Sequence, residues 1–456
     1  MVQVRAVAAT GALGTGFRED TLRDAIAQQP DMLGCDAGST DAGPYYLGSG
    51  RTMASPAAVR RDLTVMLRAA VPAGVPVLVG SAGTGGGRPH LAGAVEMVRS
   101  IAAELGLRFR LAVIEAEQDP AFLAEEFEAG RITPLSNAPD LTADDIRDAD
   151  RIVAQMGAEP FAHALGQGAD VVLAGRASDA AIYSAVPMMK GAGAGPSWHA
   201  AKILECGAAS VAQRLYPDCM MADIGSDSFT VAPPNAAMAC TPQSIASHTL
   251  YENADPFLLT EPSGVLDTTA CRYDAVDART VRVSGSTFHP KDPYDVRLEG
   301  VRLAGHRYVV PAGIRDPLVL RQLDRFIEES LGVVRSKVAQ SLGLAEDAYR
   351  LTARVYGRDA CLGELEPERD QLGHEVGLHL EVTAADPTAA QAVASVAWHT
   401  VLHHPIPEWN GLISNLAFPY SPPELDVGPA FEFMMNHVWQ LEDPLTPFPM
   451  RMEDVG

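Results

Sequence analysis

The segment Asp36-Ala-Gly-Ser-Thr-Asp41 places two carboxylates and two hydroxyls on one short loop, and Gly43-Pro44-Tyr45-Tyr46 continues it. Carboxylates in such a setting act as general bases or as oxygen ligands of a divalent metal. Asp36 and Asp41 are therefore the first catalytic candidates, as base or metal ligand, with Ser39, Thr40 and Tyr45 as substrate contacts. The plainer reading is a run of Asx turns and a helix cap, yet bulky Tyr45 and Tyr46 are poor choices for a mere turn. A second loop, Gly80-Ser-Ala-Gly-Thr-Gly-Gly-Gly-Arg88, offers backbone N–H groups, hydroxyls and a guanidinium ahead of a helix. Ser81, Gly83, Gly85, Arg88 and His90 are expected to hold a carboxylate or phosphate there; the competing reading is a flexible crossover. It is not a P-loop, because no Gly-Lys-Ser/Thr follows.

Two further segments carry reactive groups. The turn Gly175-Arg-Ala-Ser-Asp179 brings Arg176 and Asp179 as substrate-binding candidates. In Trp198-His-Ala-Ala-Lys-Ile-Leu-Glu-Cys-Gly207, helical spacing puts His199, Lys202 and Cys206 roughly on one face. His199 or Cys206 would supply the acid opposing an aspartate base, or a nucleophile, with Lys202 on the substrate. A helix-capping His and a buried Cys are the bland alternative. His374 with His379, and His399 with His403 and His404, resemble metal pairs in spacing. The glutamate of H-E-x-x-H is missing, so core or surface histidines are the simpler reading.

These groups need a scaffold, and the pattern supplies one. Val2 to Thr10, Met32 to Cys35, Val75 to Gly80, Phe109 to Ile114 and Ala169 to Ala174 read as strands. Helical patterns at Glu19 to Gln28, Ala57 to Ala70, Leu91 to Leu105 and Pro160 to Gln167 alternate with them. Strand, glycine-rich loop and helix in repetition predict an α/β fold with a parallel, doubly wound sheet. Ligands of such sheets bind beyond the carboxyl ends of the strands. The loops Gly11 to Gly16, Asp36 to Gly50, Gly80 to His90 and Gly175 to Asp179 all follow strands and should converge there. The Gly11 to Gly16 loop misses G-x-G-x-x-G spacing, so NAD is not expected.

The texture divides the chain at three levels. Residues 1–236 form the α/β domain, and 237–345 an additional α+β layer of short alternating segments. Residues 346–456 are a small C-terminal α+β region, with strand, strand and helix to His403 and an irregular Pro-rich tail from Pro419.

A 456-residue chain with 47% hydrophobic and 20% charged residues is globular and long enough for more than one core. Its net charge of −23 argues against nucleic acid as a partner. No apolar run suits a membrane span, and the N-terminus shows no secretion-signal pattern. Six cysteines at 35, 206, 219, 240, 271 and 361 lack C-x-x-C spacing, which fits reduced thiols in a cytoplasmic protein.

The quoted motifs resemble the acyclic terpene utilisation (AtuA-type) family. The resemblance runs through Asp36 to Gly48, Gly80 to Gly83 with Arg88-Pro-His90, and Gly175 to Asp179. It continues through Trp198-His199 to Cys206-Gly207, Ser247 to Asn253 and Val283-Ser-Gly-Ser286. It covers residues 1 to about 350 well and the tail less clearly. It implies catabolism of branched acids or their thioesters, and a small ferredoxin-like domain supplied as a separate partner protein. The expected ligand is a small carboxylate or acyl-CoA, the expected assembly a homo-oligomer, and a divalent metal remains open. The leading expectation is a lyase, hydratase or isomerase. The alternatives are an ATP- or CoA-dependent hydrolase or ligase, and a non-catalytic metabolite-binding or scaffold subunit.

Overall fold

The computed structural model describes residues 3–136, 138–408 and 414–456. They form two compact units, Met1–Arg302 with Phe433–Gly456, and Leu303–Glu432.

The first unit is built on a mixed sheet. Its centre is five parallel strands in the order Val4–Ala8, Met32–Asp36, Val77–Gly80, Val171–Ala174 and Phe109–Ile114. Both faces are covered, so these strands read as apolar runs with little alternation. Helices Glu19–Ile26, Pro56–Ala70 and Arg88–Leu105 pack one face around Leu33, Val77, Val79, Leu63 and Val98. Helices Asp179–Met189 and Ala194–Leu204 pack the other around Met32, Leu78, Val172 and Tyr183. The α/β reading thus holds, and the structure adds antiparallel strands on both sides. Met220–Ile224, Ser228–Ala232, Val281–Ser284 and Arg272–Ala275 extend the sheet beyond Val4–Ala8.

The stretch from Pro419, expected to be irregular, instead holds two strands, Leu425–Leu441 and Met450–Val455. The second closes the other edge of the main sheet against Phe109–Ile114. Most prolines here precede the strands or lie between them, which masked the β pattern; Pro429 alone falls inside one.

Helix Ala194–Leu204 is unusual in being buried from Gly195 to Leu204. Small and apolar residues surround its axis, as expected of a helix enclosed on every side. Any charge on it must therefore find a partner inside the protein.

The second unit pairs His306–Ile314 with Val376–Ala384, and the latter with Tyr349–Tyr356, all antiparallel. Helices Leu323–Leu342 and Pro387–Leu402 bury Phe326, Val334, Val393 and Ala397 with Val310 and Leu380 of the sheet. No described helix is long and apolar enough to cross a membrane.

Candidate functional site

A cavity of about 810 Å³ opens beyond the carboxyl ends of the central strands in the first unit. The loop after Met32–Asp36 contributes Ser39, Thr40 and Asp41, and the turn after Val171–Ala174 contributes Arg176, Ser178 and Asp179. Buried helix Ala194–Leu204 and its C-cap add Lys202 and Glu205. Glu252, Glu261, Gln155, Arg297, Glu299 and Asn436 arrive from segments far away in sequence.

Close backbone packing fixes Arg176. Gly86 has φ of +66°, and a Cβ there would lie 2.2 Å from Arg176 N, so the glycine-rich loop rests directly on this turn. The buried guanidinium donates from Nε to Glu299 Oε2 (2.8 Å), and from Nη1 to the Ala177 carbonyl (2.7 Å) and Ser81 Oγ (3.2 Å). Burial works against the charge on Arg176, but Glu299 and Asp179 hold its affinity for the proton above the ordinary value. Burial pushes Glu299 up, but Arg176 outweighs it, and the net displacement is downward. The pair is thus a fixed ionic floor.

Other carboxyls move the opposite way. Asp36 is buried, accepts from Gly38 N through Oδ2 (3.0 Å), and leaves Oδ1 without a partner among the described residues. Burial and the nearby Asp179 raise it well above the carboxylate range. Asp179 is pushed up to about 6 by burial, against the pull of Arg176 and Lys202. Glu205 reaches about 8 for the same reason, although Lys202 Nζ donates to its Oε1 at 2.7 Å. Glu261, which accepts a hydrogen bond from Ser178 Oγ, rises to about 7. Lys202 stays charged: burial lowers it, but Glu205 more than compensates. Desolvation disfavours charge, so a site with more acids than bases stores protons. This cavity can both take and give a proton near neutral pH.

The predicted residues divide clearly. Ser39, Thr40, Asp41, Arg176, Asp179 and Lys202 line the cavity, and Ser81 supports Arg176. Asp41 is exposed, and its N–H donates to Ser39 Oγ at 3.3 Å, a turn contact as well as a wall. Among the described residues no three His, Cys, Asp or Glu side chains group as a metal site, so Asp36 and Asp41 gain no third ligand. The Tyr45 ring meets Tyr46 edge-on at 5.6 Å and does not line the cavity. Arg88 turns to Glu115 (3.3 Å) and to the Glu117 carbonyl (3.2 Å). Gly83 packs on His90, whose ring meets the Tyr46 and Arg51 carbonyls. Gly85 lies against Leu47 and the same ring. The glycine-rich loop thus spends its glycines on close packing.

His199 and Cys206 also part from Lys202. His199 is fully buried between Ser286 Oγ (2.8 Å on Nδ1) and Thr249 Oγ1 (2.8 Å on Nε2), and burial lowers it to about 3. Cys206 does not line the cavity, and burial with Glu205 nearby pushes its thiol up to about 12, too high for a ready nucleophile. Sequence reading missed Glu205, Glu261, Glu299, Arg297 and Asn436. Glu205 alone had a local signal, three residues beyond Lys202 on the same helical run.

Fold and cavity together define an α/β protein with a polar, carboxyl-rich cavity at its strand ends. The family model described as acyclic terpene utilisation family protein AtuA matches residues 58–411. The chain belongs to this family, and membership associates it with acyclic terpene utilisation. No curated protein and no solved structure matches it.

Proposed function

We propose that this protein is a lyase, hydratase or isomerase that moves a proton on a small carboxylate or its thioester. The observation that supports this reading is the grouping of Asp179, Glu205 and Glu261 around the Lys202 ammonium in one cavity. Carboxyls whose proton affinities are pushed apart divide acid from base work. Asp179, at about 6, is largely ionised at neutral pH and takes the proton next to the substrate carbonyl. Glu205, at about 8, holds its proton there, Glu261, at about 7, holds one in about half of the molecules, and one of them returns it to the carbon or to a departing hydroxyl. Lys202 stabilises the negative charge that develops between the two steps. His199 and Cys206 take no part.

The test is hydrogen exchange. Purified protein is incubated in D₂O with 4-methylpentanoate and, separately, with its coenzyme A thioester, and deuterium at the α-carbon is followed by NMR. Wild type is expected to exchange one substrate, and Asp179→Asn to lose about 10²–10⁴ in rate. Undiminished exchange in Asp179→Asn sinks the assignment.

A further inference from the structure

Three cations line the cavity, and they differ in what they have left to offer. Lys202 donates one of its three N–H groups to Glu205 and, in the proposed chemistry, meets the charge that develops at the reacting carbon. Arg176 spends Nε and Nη1 on Glu299, Ala177 and Ser81. Arg297 uses only Nε, which donates to Asn436 Oδ1 at 2.9 Å and lies 3.4 Å from Glu299 Oε1. Its two Nη groups have no partner among the described residues, and the side chain is 45% exposed.

Arg297 is nonetheless held in place. Its carbonyl accepts from Gln155 N at 2.9 Å, which pins the strand, and Asn436 with Glu299 pins the guanidinium. Glu299 is itself locked by Arg176 and by a side-chain bond from Thr40. Because Asn436 Oδ1 is the acceptor, its amide nitrogen is left as a further donor, also without a partner among the described residues. A guanidinium edge with two free N–H-bearing nitrogens matches the two oxygens of a carboxylate. Protons held on Glu205 and Glu261 reduce the negative charge such an anion would meet.

We propose that Arg297, steadied by Asn436 and Glu299, is the anchor for a free carboxylate on the ligand. This deepens the proposed function and rests on it for the location of the site. It selects the free acid, or a second carboxylate remote from a thioester, over a neutral ester.

Calorimetric titration of the full chain with 4-methylpentanoate and with the neutral 4-methylpentanamide tests this. Wild type is expected to prefer the acid by about 30-fold, the worth of a charged hydrogen-bonded pair. Arg297→Met should abolish that preference by weakening the acid alone. Arg297→Lys, which keeps charge without the planar fork, should retain about a tenth of wild-type affinity for the acid. Equal binding of acid and amide by wild type overturns the proposal. So does an unchanged acid preference in both variants, which would shift the anchor to Arg176. Binding and exchange separate the two readings: a protein that prefers the acid through Arg297 but exchanges no deuterium refutes the proton chemistry and leaves the anchor standing.

Discussion

Helix Ala194–Leu204 carries two polar clusters three residues apart that behave oppositely. At His199 each ring nitrogen meets a neutral hydroxyl, Ser286 on Nδ1 and Thr249 on Nε2, and the imidazole is held uncharged. At Lys202 an ammonium meets Glu205 and faces a cavity with more carboxyls than cations. Both side chains are at least nine-tenths buried, so burial does not separate them. Satisfaction does. A closed neutral network stabilises one conformation, whereas a cluster with protons in excess keeps the capacity to exchange them.

The largest effect should follow from Lys202→Met. Removing the ammonium leaves Glu205 a neutral buried acid, which the fold tolerates, because burial already raises it to about 8. Exchange in D₂O should fall by about 10³-fold, the scale of losing one preorganised charge, with little change in melting temperature. A variant that melts far lower yet exchanges normally would make Lys202 structural, and the contrast with His199 would collapse.

His199→Ala should do the reverse. It removes the ring partner of the Thr249 and Ser286 hydroxyls and opens a void beside Phe229 and Tyr273, which the ring contacts at 5.3 and 6.0 Å. The cost should be about 3 kcal/mol in denaturant unfolding, with the exchange rate per folded molecule within a few-fold of wild type.

The chain order made half of this site legible. The central strands and their loops are local patterns, and they locate Ser39, Thr40, Asp41, Arg176 and Asp179, while helical spacing beyond Trp198 adds Lys202. Glu299 lies 123 residues from Arg176, Glu261 lies 83 from Ser178, and Asn436 lies 139 from Arg297. Their strands are added antiparallel or return from the far end of the chain, and no local periodicity encodes that pairing. Alternation around Val296 and Leu298 even places Glu299 on the outward face, whereas it is buried against Arg176. The face of helix 194–204 misled in a different way. Correct spacing joined His199 to Lys202, but only tertiary partners reveal that one is closed and the other open.

The two clusters also give stability opposite slopes in pH. Asp179, Glu205 and Glu261 bind protons more tightly folded than unfolded, so stability falls as pH rises from about 4, levelling near 8. His199 binds its proton less tightly folded, so its contribution is present above about 6.5 and is lost as pH falls toward 3. Urea titrations across pH 4–8 should show that Glu205→Gln flattens the alkaline decline by up to about 1.4 kcal/mol per pH unit. His199→Gln should flatten the acid side only. An alkaline decline identical in wild type and Glu205→Gln would remove Glu205 from the stored-proton group.

The smallest effect belongs to Ser286. Thr249 Oγ1 already donates to the Ile245 carbonyl at 3.1 Å, so it accepts from His199 Nε2–H and leaves Nδ1 as an acceptor. Ser286 Oγ–H fills that acceptor at 2.8 Å, and Cys271 Sγ waits 3.6 Å from the same nitrogen. In Ser286→Ala the thiol inherits the acceptor, so the loss should be only about 1 kcal/mol. Ser286→Ala with Cys271→Ala should cost more than the two single changes added together, because only the pair leaves Nδ1 bare. Strict additivity in a double-mutant cycle would mean that the thiol never substitutes, and that the His199 cluster is closed by its two hydroxyls alone.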